Sequence, residues 1–182
     1  CLVITGAGRG FCAGQDLNDS EMGGDVEGVV ERLYKPLALS LRRYPVPVIA
    51  MVNGVAAGAG ANLALNCDFT IAARSASFIQ AFSKIGLIPD AGSPWLLPQR
   101  VGMARAMALA MTGDKLPAQQ AKDWGMIWDV ADDCVAAART LAARLASMPT
   151  KALVATRHIL RDSTSRTFAQ QLDVERDTQS AM

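Results

Sequence analysis

Nine consecutive small residues, Asn53-Gly54-Val55-Ala56-Ala57-Gly58-Ala59-Gly60-Ala61, follow directly on the strand-like run Val48 to Val52. Side chains this small let a short helix, read here through Leu65, lie close against the sheet it leaves. They also let a ligand reach the backbone and take hydrogen bonds from main-chain N–H groups. A helix start adds unpaired N–H groups and the favourable end of its dipole, both suited to negative charge. On this run alone tight packing and anion binding both stay open.

A second small-residue region, Gly6 to Gly14, follows the opening strand Cys1 to Thr5 and reads as a loop. Gly6-Ala7-Gly8-Arg9-Gly10 invites a dinucleotide-binding reading, but that motif needs glycine at the site of Phe11 and an immediate helix. The next helical pattern starts only near Val29, and no phosphate-loop Gly-Lys-Ser or Gly-Lys-Thr occurs. Ala13-Gly14 thus joins Gly58-Ala59-Gly60 as a second place where backbone donors can approach a ligand.

The rest of the chain alternates strands and helices and then turns helical. Asn18 to Gly28 is polar and glycine-bearing and reads as a surface segment able to act as a lid. Val29, Leu33, Leu37 and Leu41 mark an amphipathic helix, which Pro36 is expected to kink or break. Strands are expected at Val48 to Val52, at Phe69 to Ala73 and around Phe78. Helices are expected after Asp90, around Val101 to Met111 and Val135 to Leu145, and across Lys151 to Arg161 and Thr167 to Gln179. The expected class is α/β, one domain over 1–182 with a core to about residue 100 and a helical region beyond it. Both ends read as cut, Cys1 opening straight into a strand and the last helical period stopping at Met182.

Composition narrows the function classes. Eighteen basic and 17 acidic side chains leave a formal charge of +1, so no broad positive field is present for a nucleic-acid backbone. No apolar run reaches the ~20 residues of a bilayer crossing, so no membrane role is expected. Cys1, Cys12, Cys67 and Cys134 form no CxxC pair and do not cluster with the single histidine, His158. Neither a metal site nor a disulfide framework is suggested, and a cytoplasmic location is expected. His158 reads as a helix-face residue, Cys12 as a packing residue, and Trp95, Trp124 and Trp128 as packing residues. Arg9 reads equally as a solvated loop residue or a phosphate contact.

Four ordered blocks carry a resemblance: Phe11-Cys12-Ala13-Gly14-Gln15-Asp16-Leu17, Val52 to Leu65, Cys67-Asp68, and Ile85-Gly86-Leu87-Ile88-Pro89-Asp90-Ala91-Gly92. They resemble the enoyl-CoA hydratase/isomerase (crotonase) superfamily over nearly the whole chain. The resemblance implies a spiral of ββα turns with a C-terminal helical region, assembled as a homotrimer or dimer of trimers. It implies acyl-CoA thioester substrates and no separate cofactor, the coenzyme A being part of the substrate. The two oxyanion N–H donors fall on Ala13 and Ala59, Ala13, Gly14, Gln15 and Asp16 lie along the coenzyme, and Gly58, Asn62 and Phe82 join the substrate-binding set.

Departures from the family pattern sharpen the expectation. Hydratases carry two glutamates that handle water, and the matching positions are Asn62 and Phe82, neither able to act as a base near neutral pH. Asp90 stands where some isomerases and dehalogenases of the superfamily place a catalytic aspartate. Phe82, Leu87 and Ile88 are expected to desolvate its carboxylate and raise its pKa. The plainer alternative is that Asp90 caps a helix beginning near Ser93. Further blocks, including Trp95-Leu96-Leu97-Pro98 and Trp124-Gly125-Met126-Ile127-Trp128, resemble the isomerase subgroup of phenylacetate degradation. That subgroup converts a ring epoxide of phenylacetyl-CoA to an oxepin, and related activity shifts double bonds in enoyl-CoA. A hydratase-like, dehalogenase or hydrolase activity, or acyl-CoA binding without turnover, are the competing readings.

Overall fold

The computed structural model of the chain describes residues 1–16, 18 and 25–182. Its centre is β3 (Val48–Val52), every residue of which is buried. Val48, Ala50 and Val52 face one apolar cluster with Leu65, Phe78 and Leu97, while Ile49 and Met51 face a second with Ile71, Cys134 and Leu145. A strand covered on both faces needs apolar residues at every position, which is what Val-Ile-Ala-Met-Val supplies.

Two four-stranded sheets are built around it. The first has the order β1 (Leu2–Thr5), β3, β5 (Phe69–Ala73), β8 (Asp129–Ala131), parallel throughout. The second has the order β2 (Gly10–Cys12), β4 (Val55–Ala57), β6 (Ser77–Ile79), β7 (Lys115–Pro117), with only the β6–β7 pair antiparallel. The first six strands enter the two sheets in turn, and a helical segment follows each of their three pairs, giving the expected ββα spiral. Strands β2 and β4 lie inside the two small-residue regions, which the sequence presented as loop and turn. Strands β7 and β8 come from beyond residue 100, so the second half is not helical alone but closes both sheets.

Pro36 does not break its helix. α1 (Val26–Val29) runs through a π-helical stretch (Val30–Tyr34) into α2 (Lys35–Arg42), with Lys35 N–H bonding to Val30 O. A proline has no N–H to give to the carbonyl one turn back, and widening the preceding turn accommodates that loss. α3 (Ala59–Asn66) packs against β2 so closely that a Cβ on Gly60 would stand 2.3 Å from Cys12 O. The remaining helices are α4 (Ser93–Val101), α5 (Met103–Thr112), α6 (Ala118–Asp123), α7 (Cys134–Ala146), α8 (Thr150–Asp162) and α9 (Phe168–Ser180).

Candidate active site

The two small-residue regions meet where the second sheet ends. Asn53 staples the first glycine loop, accepting from Gly6 N–H at 3.1 Å and donating to Gly8 O at 3.0 Å and Gly10 O at 3.2 Å. This directs the chain through β2 to Ala13 and Gly14. From the other side β4 ends at Ala57, Gly58 N–H is used by Ile79 O at 2.9 Å, and α3 begins at Ala59. As the first residue of the helix, Ala59 has no acceptor for its N–H one turn back in the helix.

These residues line one cavity of about 170 Å³ together with Gln15, Phe82, Asp90 and an apolar wall including Val29, Val30, Ile85 and Leu87. Seven of the nine expected site residues are therefore brought together: Ala13, Gly14, Gln15, Gly58, Ala59, Phe82 and Asp90. The other two stand elsewhere. Asp16 is exposed, and its carboxylate accepts from Asn18 N–H at 2.9 Å, because the chain turns outward there. Asn62 is fully buried behind the cavity wall, its amide donating to the backbone oxygen of Asp90 at 3.0 Å. The expected lid at Asn18 to Gly28 is largely outside the described residues, since 17 and 19–24 are not among them.

Asp90 is the only carboxylate on the cavity wall among the described residues. Its Oδ1 is buried with no hydrogen-bond partner, and burial pushes its pKa above the usual carboxylate value. The capping alternative fails: α4 begins after Gly92 without a side-chain cap, and it is Asp90's backbone oxygen that accepts from Ser93 N–H, at 2.9 Å. Phe82 and Leu87 supply apolar surface beside the carboxylate, whereas Ile88 is 81% exposed and takes no part. Tyr34, from the π-helical stretch, lines the same cavity. Its hydroxyl donates to Gln15 Oε1 at 2.7 Å, and burial, reinforced by the negative charge of Asp90, raises its pKa.

A larger cavity of about 340 Å³ lies beside Asp68, Arg100, Arg157 and Arg161. Its charges answer one another: Asp68 Oδ1 lies 2.8 Å from Arg157 Nε and 3.1 Å from Arg161 Nη2, while Asp68 Oδ2 accepts from Val48 N–H at 2.8 Å. This cluster ties α8 to the first sheet and presents no comparable reactive group. His158 is exposed on α8, as its helix-face reading required, but Trp95 and Trp128 are 47% and 63% exposed and so do not fill the core. Among the described residues no group of three or more histidine, cysteine or acidic side chains is placed to hold a metal ion. Nor is any described helix long and apolar enough to cross a membrane.

Known proteins resemble this chain in sequence and in fold. The chain is 54% identical to a 1,2-epoxyphenylacetyl-CoA isomerase of Escherichia coli (strain K12), over 98% of this chain and 71% of the relative. It is 46% identical to a probable enoyl-CoA hydratase of Rhodobacter capsulatus, over 96% of this chain and 69% of the relative. Among solved structures, an enoyl-CoA hydratase from Polaromonas sp. JS666 superposes with a TM-score of 0.90 at 38% identity, covering 98% of this chain and 72% of that one. A protein from Thermobifida fusca YX solved in complex with CoA superposes with a TM-score of 0.89 at 32% identity, covering 98% and 74%. All of residues 1–182 match the family described as enoyl-CoA hydratase/isomerase, and the chain belongs to that family.

Proposed function

We infer that this protein is an isomerase of CoA thioesters that moves protons within the bound acyl group, converting 1,2-epoxyphenylacetyl-CoA to the oxepin-CoA and shifting double bonds in enoyl-CoA. The observation that carries the reading is the single carboxylate on the cavity wall among the described residues, that of Asp90, whose Oδ1 has no hydrogen-bond partner, with Phe82 and the buried Asn62 at the two positions where the family resemblance puts the hydratase glutamates. Hydration needs one group to activate water and another to protonate carbon. Isomerisation needs one group that takes a proton and returns it.

The thioester oxygen sits between the N–H groups of Ala13 and Ala59, which stabilise the negative charge that develops as the α-carbon loses its proton. Each such donor is typically worth about 2.7 to 4 kcal/mol of barrier. Asp90 takes the α-proton and delivers it to a carbon further along the conjugated system. In the epoxide this step accompanies opening of the ring carbon–carbon bond, with the oxygen kept and nothing added or lost. A raised pKa suits the task, because the protonated intermediate must survive long enough to give its proton back. Gln15 holds Tyr34 at the cavity edge, and Ala13, Gly14 and Gln15 border the path of the coenzyme. The family resemblance supports a cytoplasmic enzyme working as a trimer or dimer of trimers.

The test is to offer the protein epoxyphenylacetyl-CoA and a 3-enoyl-CoA in parallel and follow the products by mass. Oxepin and the conjugated isomer are expected at unchanged mass. A product heavier by one water would assign hydration instead.

A further inference from the structure

Behind the cavity wall lies a chain of buried amides with no place in the proton transfer itself. Asn62, Asn66, Gln80 and Ser93 are each at most 4% exposed. Ser93 Oγ donates to Gln80 Oε1 at 3.4 Å, Gln80 Nε2 donates to Asn62 Oδ1 at 2.8 Å, and Asn62 Nδ2 donates to Asp90 O at 3.0 Å. Asn66 Nδ2 joins the same group, donating to Asn62 O at 2.9 Å and Ala91 O at 2.8 Å. Two consecutive carbonyls, those of Asp90 and Ala91, are thus gripped from α3. Asn62 and Asn66 bond to the turn directly, and Gln80 and Ser93 extend the chain behind Asn62.

The turn needs holding. Ala91 has φ +47°, the only non-glycine residue with positive φ among the described residues, and such strained backbone persists only where its surroundings impose it. Released, the segment would relax away from this conformation and carry the adjacent carboxylate with it. Asp90 Oδ1 has no hydrogen-bond partner, so that oxygen does nothing to hold the carboxylate in place.

We propose that Asn62, fixed by Gln80 and assisted by Asn66, is a positioning residue that clamps the strained Asp90–Ala91 turn and thereby aims the Asp90 carboxylate into the cavity. The site of a hydratase glutamate is on this view reused from behind the wall. The inference rests on Asp90 being the proton carrier. Groups that titrate or carry charge around Asp90 are Tyr34 from the π-helical stretch and Lys35 and Arg42 from α2, which border a neighbouring cavity that Asp90 also touches.

Asn62→Leu removes the donor and keeps the branched shape, with a larger volume that the buried site must absorb. Turnover per binding-competent site, counted by acyl-CoA titration, is expected to fall about 10- to 100-fold with KM within about threefold, as for a displaced catalytic group. The acid limb of the kcat–pH profile should move to lower pH, because a loosened carboxylate regains water. Gln80→Met leaves the bond to Asp90 in place and frees only the Asn62 amide. It should show the same changes at roughly 3- to 10-fold, and it carries the test if Asn62→Leu fails to fold. Adding Ala91→Gly to Asn62→Leu removes the strain and should return part of the lost turnover. A purely structural role predicts lower melting temperatures with the acid limb unmoved, and an unmoved limb in the variants that fold overturns the proposal. Asp90→Asn is the control: turnover surviving there rejects the role of Asp90, an outcome distinct from unaltered Asn62 and Gln80 variants beside an inactive Asp90→Asn.

Discussion

Asp68 and Asp90 are both carboxylates set into the wall of a cavity, yet the protein treats them in opposite ways. Asp68 is answered by two arginines and a backbone N–H, and the group locks α8 onto the central sheet. Asp90 is left with a buried oxygen that nothing in the structure satisfies, on a turn whose backbone is strained. Arg161 shows what the first arrangement costs, since burial pulls its pKa down to about 10 despite the neighbouring carboxylate. The satisfied charge of Asp68 is architecture, whereas the buried Oδ1 of Asp90 keeps its hydrogen-bonding capacity unused.

The contrast is broken most sharply by Asp90→Asn, which keeps shape and removes the base. Isomerisation should fall at least about 10³-fold, within the range for loss of a general base, while acyl-CoA binding measured by calorimetry stays within threefold. Asp68→Ala should do the reverse. Stranding Arg157 and Arg161 is expected to cost about 3 to 5 kcal/mol in denaturant unfolding, with turnover per folded site unchanged. Gly14→Ala tests the backbone donors between these extremes: its φ is +97° and a Cβ would stand 3.1 Å from Ala57 O, so Ala13 must shift. A loss of roughly 10- to 100-fold in kcat is expected, short of the effect of deleting a whole donor.

The smallest effect is on stability at the active site itself. Because burial raises the folded-state pKa of Asp90, the native state binds its proton more readily than the unfolded chain. Stability therefore rises as pH falls through that raised pKa and stops rising below the unfolded value, and at neutral pH the charged form works against the fold. Asp90→Asn should melt slightly higher than the parent at pH 7, by roughly 1 to 3 °C, with the difference shrinking in mildly acidic buffer. A variant that melts lower at pH 7 would place Asp90 with Asp68 as a structural carboxylate.

Where side-chain pattern carries the information, the sequence shows the fold. Val48 to Val52, Phe69 to Ala73 and the helices α5, α7, α8 and α9 follow their apolar periods, whereas the short α6 is not anticipated. Strands β2 and β4 do not, because Gly10-Phe11-Cys12 and Val55-Ala56-Ala57 are three residues long and sit among glycines and alanines too small to show a period. What defines them is pairing with each other, a contact between distant segments. Pro36 misled for a related reason: the cost of its missing N–H is real, but one wider turn absorbs it. At the site, Ala13, Ala59 and Asp90 are legible from the motifs they stand in. Asn62 is not, since helix position alone does not tell whether its amide faces the ligand or the back of the wall. Nor is Tyr34, since its helical spacing gives it a face but not the cavity that face lines.

The central claim is that one carboxylate carries a proton from one carbon of the acyl group to another. It is tested most directly by single-turnover isomerisation of a substrate deuterated at the α-carbon, in ordinary water, with the product analysed by mass and NMR. The account predicts that part of the deuterium reappears at the distal carbon, that none of the transfer survives Asp90→Asn, and that no oxygen enters from labelled water. Solvent oxygen in the product, or deuterium transfer that persists without the Asp90 carboxylate, would contradict it.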